Sequence, residues 1–183
     1  MTYTLIRSSR KSVGIEIKNG EVIVRAPQRM PKNEIDRIVS SHEAKIRGML
    51  EKAAAREASL GEVVPLSAEE IRDLAEKALD YIPGRVKYYA EKMGVTYGGI
   101  TIRNQKTRWG SCSSKKNLNF NCLLMLTPPE VIDSVVVHEL CHLLEMNHSP
   151  KFYAQVLKVY PDYHKHDAWL KEHGAAIMKR MTG

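Results

Sequence analysis

His138-Glu139-Leu140-Cys141-His142 is the stretch on which the reading of this chain turns. It is an HExxH pattern, and its chemistry follows from helix geometry. Residues four apart on an α-helix differ by about 40° in azimuth and about 6 Å in rise, so both imidazoles leave one face. Two neutral imidazole nitrogens at that separation can reach one Zn²⁺ at about 2.0–2.1 Å. Glu139 falls beside the metal rather than on it, where its carboxylate can take a proton from an activated water and hand it to a leaving group. Val131, Ile132, Val135, Val136 and Val137 precede the motif, so these polar groups ride on an apolar helix. Burying two imidazoles and a carboxylate there is costly unless a metal satisfies them.

The helix itself is signalled by Thr127-Pro128-Pro129-Glu130, with Thr127 as N-cap, proline in the first turn and glutamate at capping-box distance. It is expected to run from Pro128 to about Glu145. A catalytic site needs a third ligand and one open position. His148 lies six residues past His142, the spacing of the HExxHxxGxxH pattern of metzincins. Glu145 replaces that pattern's glycine, and Asn147 can supply the turn instead. Glu145 lies about 10 Å along the axis from His138, too far to share the metal. His164, His166 and His173 are rivals on a later segment. Asp162 and Asp167 are candidates to orient a ligand histidine through its second nitrogen. Cys141 reads as a small apolar core residue, and Cys112 and Cys122 lack the CxxC spacing of a structural zinc site.

Upstream, Val95–Arg103 and Leu118–Leu126 read as strands joined through the polar stretch Trp109–Lys116. Leu118–Leu126 is the candidate for an exposed edge to which an extended peptide could add. Arg103, Lys106 and Arg108 can face the metal from a neighbouring strand, suiting a triphosphate or an acidic peptide, or can be a solvated edge. Trp109 either stacks on a substrate or anchors the core. Ser149-Pro150 begins a helix through Tyr160, Pro161 ends it, and a short helix around Ala168–Leu170 closes the chain.

Toward the N-terminus, Val13, Ile15 and Ile17 alternate with polar residues, Asn19-Gly20 makes a hairpin turn, and Val22 and Val24 resume the alternation. From Pro31 to about Glu57 the apolar period is helical. Gly61 to Pro65 is a break. Ser67 and Glu70 have capping-box spacing ahead of a second helix that Pro83-Gly84 is expected to kink or split. The chain therefore reads as α+β: an N-terminal hairpin-and-helix region, 1–66, and a catalytic core, 67–183.

Composition bounds the classes. The chain has 183 residues, 43% hydrophobic and 27% charged, ordinary for a globular protein and unlike a disordered or low-complexity one. No run approaches the roughly 20 apolar residues of a membrane span, and Met1 to Arg10 lacks the apolar core of a secretory signal. Three cysteines without a close pair fit a reducing compartment, so a cytoplasmic location is expected. The net charge of +7 is spread out, which gives nucleic-acid binding only weak support.

Thr107-Arg108-Trp109-Gly110-Ser111-Cys112, Asn117–Leu126, His138–His142, Asn147-His148-Ser149 and Phe152 together resemble the YgjP-like metal-dependent hydrolases, relatives of the SprT-like and WLM metallopeptidase domains. Ile6-Arg7-Ser8-Ser9-Arg10-Lys11-Ser12 extends the resemblance over nearly the whole chain. It implies a zincin-like core with His138, His142 and His148 as zinc ligands and Glu139 as acid and base. Peptide is the substrate it implies first. A nucleoside triphosphate such as UTP, accompanied by Mg²⁺, is the rival, and a non-catalytic zinc-stabilised module associated with nucleic acid is the alternative of another class.

Overall fold

The computed structural model describes residues 1–18, 20–59 and 63–181. By contacts the chain divides into two units, Met1–Glu62 and Val63–Gly183.

The first unit contains β1 (Thr4–Ser8), β2 (Gly14–Lys18), β3 (Glu21–Pro27), α1 (Lys32–Ser41) and α2 (Glu43–Ser59). β2 and β3 form the expected antiparallel pair, with Lys18 opposite Glu21, while Asn19 of the expected turn lies outside the described residues. β1, which the alternation does not announce, pairs parallel to β3, so the order is β1-β3-β2. Val22, Val24 and Ala26 on one face of β3 meet Ile35, Val39 and Ile46 from the helices. The single helix expected from Pro31 is two, because the backbone of His42 leaves helical geometry at φ −109°, ψ 9°. The His42 ring nitrogen Nδ1 lies 2.9 Å from the Ile38 carbonyl, an interaction that accompanies the break.

The second unit contains α3 (Ala68–Met93), β4 (Ile100–Arg103), β5 (Gly110–Cys112), β6 (Leu118–Asn121), a 3₁₀ turn (Cys122–Leu126), α4 (Pro129–Cys141), α5 (Pro150–Val159) and α6 (Tyr163–Lys179). Residues 61 and 62 of the expected break before α3 lie outside the described ones. The Ser67–Glu70 capping box forms reciprocally, at 2.7 and 3.1 Å. Pro83 does not split α3, which continues past it as one element. Proline removes the bond to the carbonyl four residues back, and that carbonyl belongs to Leu79, whose side chain is 59% exposed on the solvent side. The opposite face, Leu74, Ala78, Ile82, Val86 and Ala90, is buried along both halves, so packing carries the helix past the defect.

β6 is the central strand, parallel to β4 and antiparallel to β5. This corrects the edge assignment: Leu118–Asn121 is covered on both sides, and the edges are β4 and β5, the latter inside the stretch read as a polar connection. Three residues, Gly-Ser-Cys, are too short and too small to show an apolar alternation. Leu118 and Phe120 face the core with no exposure. α4 is tied to α3 by Arg85, whose guanidinium donates to both oxygens of Asp133 at 2.7 and 2.6 Å, with Tyr89 Oη donating at 3.1 Å.

Candidate metal centre and its cleft

α4 starts at Pro129 with Pro128 as its cap; Thr127 is not the cap, because its hydroxyl turns back to donate to the Leu124 carbonyl at 2.8 Å. The helix ends at Cys141 rather than near Glu145, leaving His142 as its last half-helical residue. That early end frees the chain to reverse. Glu145 N still donates to the Cys141 carbonyl at 2.9 Å, and Ser149 N closes a tight turn on the Asn147 carbonyl at 2.7 Å. Ser149 then caps α5. The reversal returns His148 over the helix end.

Three imidazoles result, and the nearest ring nitrogens of His138, His142 and His148 all lie within 4.8 Å of one another. His148 Nε2 and His138 Nε2 are 2.9 Å apart. Phe152, fully buried on α5, is the apolar wall common to all three, its ring centroid 4.9, 4.6 and 4.9 Å from those of His138, His142 and His148. His142 Nδ1 faces the Glu145 carbonyl at 3.2 Å. A carbonyl only accepts, so that nitrogen carries the proton and Nε2 keeps its lone pair. His138 Nδ1 is 2.9 Å from Tyr163 Oη, which is the partner of the second nitrogen in place of Asp162 or Asp167. Burial pushes His138 down to about 4, with His142 and His148 adding to the effect and Asp167 opposing it. Burial also lowers His142. His138 and His142 thus offer neutral nitrogens, and with His148 beside them the three imidazoles form a set that suits a borderline-soft dication. His164, His166 and His173 stay outside this cluster, their rings against Tyr153, Tyr160 and Trp169.

Glu139 is 6% exposed, and burial pushes its carboxyl up to about 8 against a smaller downward pull from Arg108. Two hollows flank it. One, of about 340 Å³, lies over the histidines and reaches Cys112 and Met146. The other, of about 250 Å³, runs between Trp109, Val135, Tyr163 and Leu170. Arg108, Gly110, His138 and Glu139 border both. Among the basic residues singled out from the sequence, Arg108 therefore meets the cleft. Arg103 instead donates to Asn119 Oδ1 at 3.2 Å on the outer strand, and neither it nor Lys106 lines either hollow. Trp109 packs on the core and also forms a wall of the second hollow.

The loop before β5 is held from inside. Asn121, fully buried, donates through Nδ2 to the carbonyls of Gln105 and Arg108 at 2.7 and 2.8 Å. Asn121, Phe152 and Tyr163 are the site residues to which sequence reasoning assigned no role. For Tyr163 no signal existed, since it stands 25 residues from the nitrogen it meets.

Residues 66–173 match the family described as YgjP-like, metallopeptidase domain. Two solved structures share features with the chain. One is the metallopeptidase zymogen abylysin of Pyrococcus abyssi, with 19% identity, a TM-score of 0.45, and coverage of 50% of this chain and 93% of that one. The other is the metallopeptidase zymogen jannalysin of Methanocaldococcus jannaschii, with 20% identity, a TM-score of 0.45, and coverage of 50% and 94%. No curated protein matches.

Proposed function

The chain belongs to the YgjP-like family of metallopeptidase domains, and from that premise we propose that it is a zinc-dependent peptidase whose ion is held by His138, His142 and His148. The observation that carries this reading is the convergence of three imidazoles beside a buried carboxylate. The ion, when bound, supplies Lewis acidity toward a peptide carbonyl and the attacking water.

The remaining work falls to the chain's own side chains. Glu139 accepts a proton from the attacking water on one carboxylate oxygen and delivers it to the departing amine nitrogen as the C–N bond breaks. Burial supports that role by keeping the carboxyl's proton affinity high enough for it to act in both directions. Tyr163 and the Glu145 carbonyl hold the outer nitrogens of His138 and His142, which orients both rings. Arg108, which borders both hollows, and Trp109, a wall of the second, contact the substrate. An extended peptide could add along the edge of β5, whose Gly110 borders both hollows beside Glu139. The triphosphate reading draws less support, since two of its three cations, Arg103 and Lys106, do not border the cleft. Three free cysteines support the cytoplasmic location.

The test is Glu139→Gln. The amide preserves shape but cannot carry the proton, so zinc content is expected to stay at wild type while peptide turnover falls on the order of 100-fold or more. A variant with wild-type turnover refutes the role of Glu139.

A further inference from the structure

Gly110 stands in a strand, where glycine is unfavourable because it has the most backbone freedom to lose and no side chain to pack. Its backbone gives no reason for it. The described glycines with positive φ are Gly20 and Gly94, whereas Gly110 pairs regularly with Phe120 in a conformation open to any residue. The reason lies in the missing side chain. A Cβ at position 110 would fall 2.7 Å from Glu139 Oε1, 2.8 Å from its Cγ and 3.0 Å from its Cδ. Carbon atoms sit comfortably at about 3.5–4.0 Å. Rotating the carboxylate does not help, because Cγ precedes that rotation. The whole side chain would have to swing, and Glu139 is enclosed at 6% exposure.

The strand cannot retreat either. The Trp109 carbonyl accepts from Asn121 N at 2.8 Å. The Trp109 indole lies against α6 at Gly174, where a Cβ would stand 3.0 Å from its Cζ2. A glycine inside a helix is unfavourable relative to alanine, so this second bare position is also explained by close approach. β5 is seated on both sides.

We propose that Gly110 is a positioning residue: the bare Cα of the edge strand is the wall against which the Glu139 carboxylate is set beside His138. The proposal rests on the reading of Glu139 as proton carrier. Proton transfer works within a reach of about 2.6–3.2 Å, and a misplacement of about 1 Å costs on the order of 100-fold.

The contact is tested apart from catalysis, on metal-free protein, by melting Gly110→Ala in the wild-type and Glu139→Ala backgrounds. Overpacking is expected to lower the wild-type melting temperature by about 2–10 °C and to leave the Glu139→Ala background unmoved. A Gly110→Ala chain that fails to fold alone but folds with Glu139→Ala gives the same support. Equal losses in both backgrounds overturn the contact. In the zinc-loaded enzyme, Gly110→Ala is expected to lower kcat on the order of 100-fold, with KM and zinc affinity within a few-fold of wild type. Wild-type kcat in Gly110→Ala beside a slow Glu139→Gln overturns the positioning role alone. Wild-type turnover in Glu139→Gln instead removes the premise.

Discussion

His148 illustrates what one residue's placement demands of the backbone around it. Its ring reaches His138 because α4 stops at Cys141 and the chain reverses through Asn147. If it is a ligand, His148→Ala removes a bond to the ion itself, and zinc affinity is expected to fall by more than the roughly 10–100-fold typical of an outer partner. Alanine at His164, His166 or His173 should leave affinity near wild type, as parallel zinc titrations would read; normal binding by His148→Ala would refute its assignment. The pair His138 and His142 was legible because four residues make about one helical turn, a local rule. The spacing to His148 was legible as a pattern and Asn147 as the place of its turn, whereas the end of α4 at Cys141, four residues earlier than expected, was not. Tyr163 was beyond reach, since its meeting with His138 depends on where α6 packs.

At the scale of elements, α4 is anchored less by its own caps than by its neighbours. Pro128 makes no side-chain cap bond, whereas Asp133 receives three donors from α3. Charged hydrogen bonds are worth about 1.5–3 kcal/mol, so Asp133→Asn is expected to destabilise the protein by about 1–3 kcal/mol, seen as a lower urea midpoint at unchanged slope. A loss under about 0.5 kcal/mol would show that apolar packing alone holds the two helices. The helices before α6 were legible from their periodicity and start signals and the capping box of α3 from its spacing, whereas α6 runs over Tyr163–Lys179 where only a short helix around Ala168–Leu170 is expected. The breaks were not. Pro83 reads as a kink or split, yet packing along both halves of α3 carries one helix past it, while the helical period runs through His42 and that is where the helix parts. β5 left no trace at all, being three small residues whose strand character comes from pairing with β6.

For the molecule, the site belongs wholly to the unit Val63–Gly183, in which Leu66 N donates to the Arg180 carbonyl at 2.9 Å and so joins its first and last turns. An ion bound only by the folded state stabilises that unit by mass action, about 2.7 kcal/mol at a hundredfold excess over Kd. Both tryptophans, Trp109 and Trp169, lie in this unit, so their fluorescence melting isolates it. At about 2–4 °C per kcal/mol, a chelator is expected to lower the midpoint by roughly 5–11 °C in the wild type and to leave His138→Ala unaffected. An equal chelator effect in both would place the bound ion elsewhere.

The loop that carries Arg108 lies at the surface, where segments ordinarily open on their own at little cost. Its tether does not: the amide of Asn121 holds two of its carbonyls from a position with no solvent exposure. Lifting the loop strands a buried donor, so its excursions are tied to disruption of the interior. In amide hydrogen exchange, such a rim moves with the slow, global opening of its domain and not with the fast fraying of its surface. The mouth of the cleft is in this sense a rigid template, to which an incoming chain must bring the adjustment.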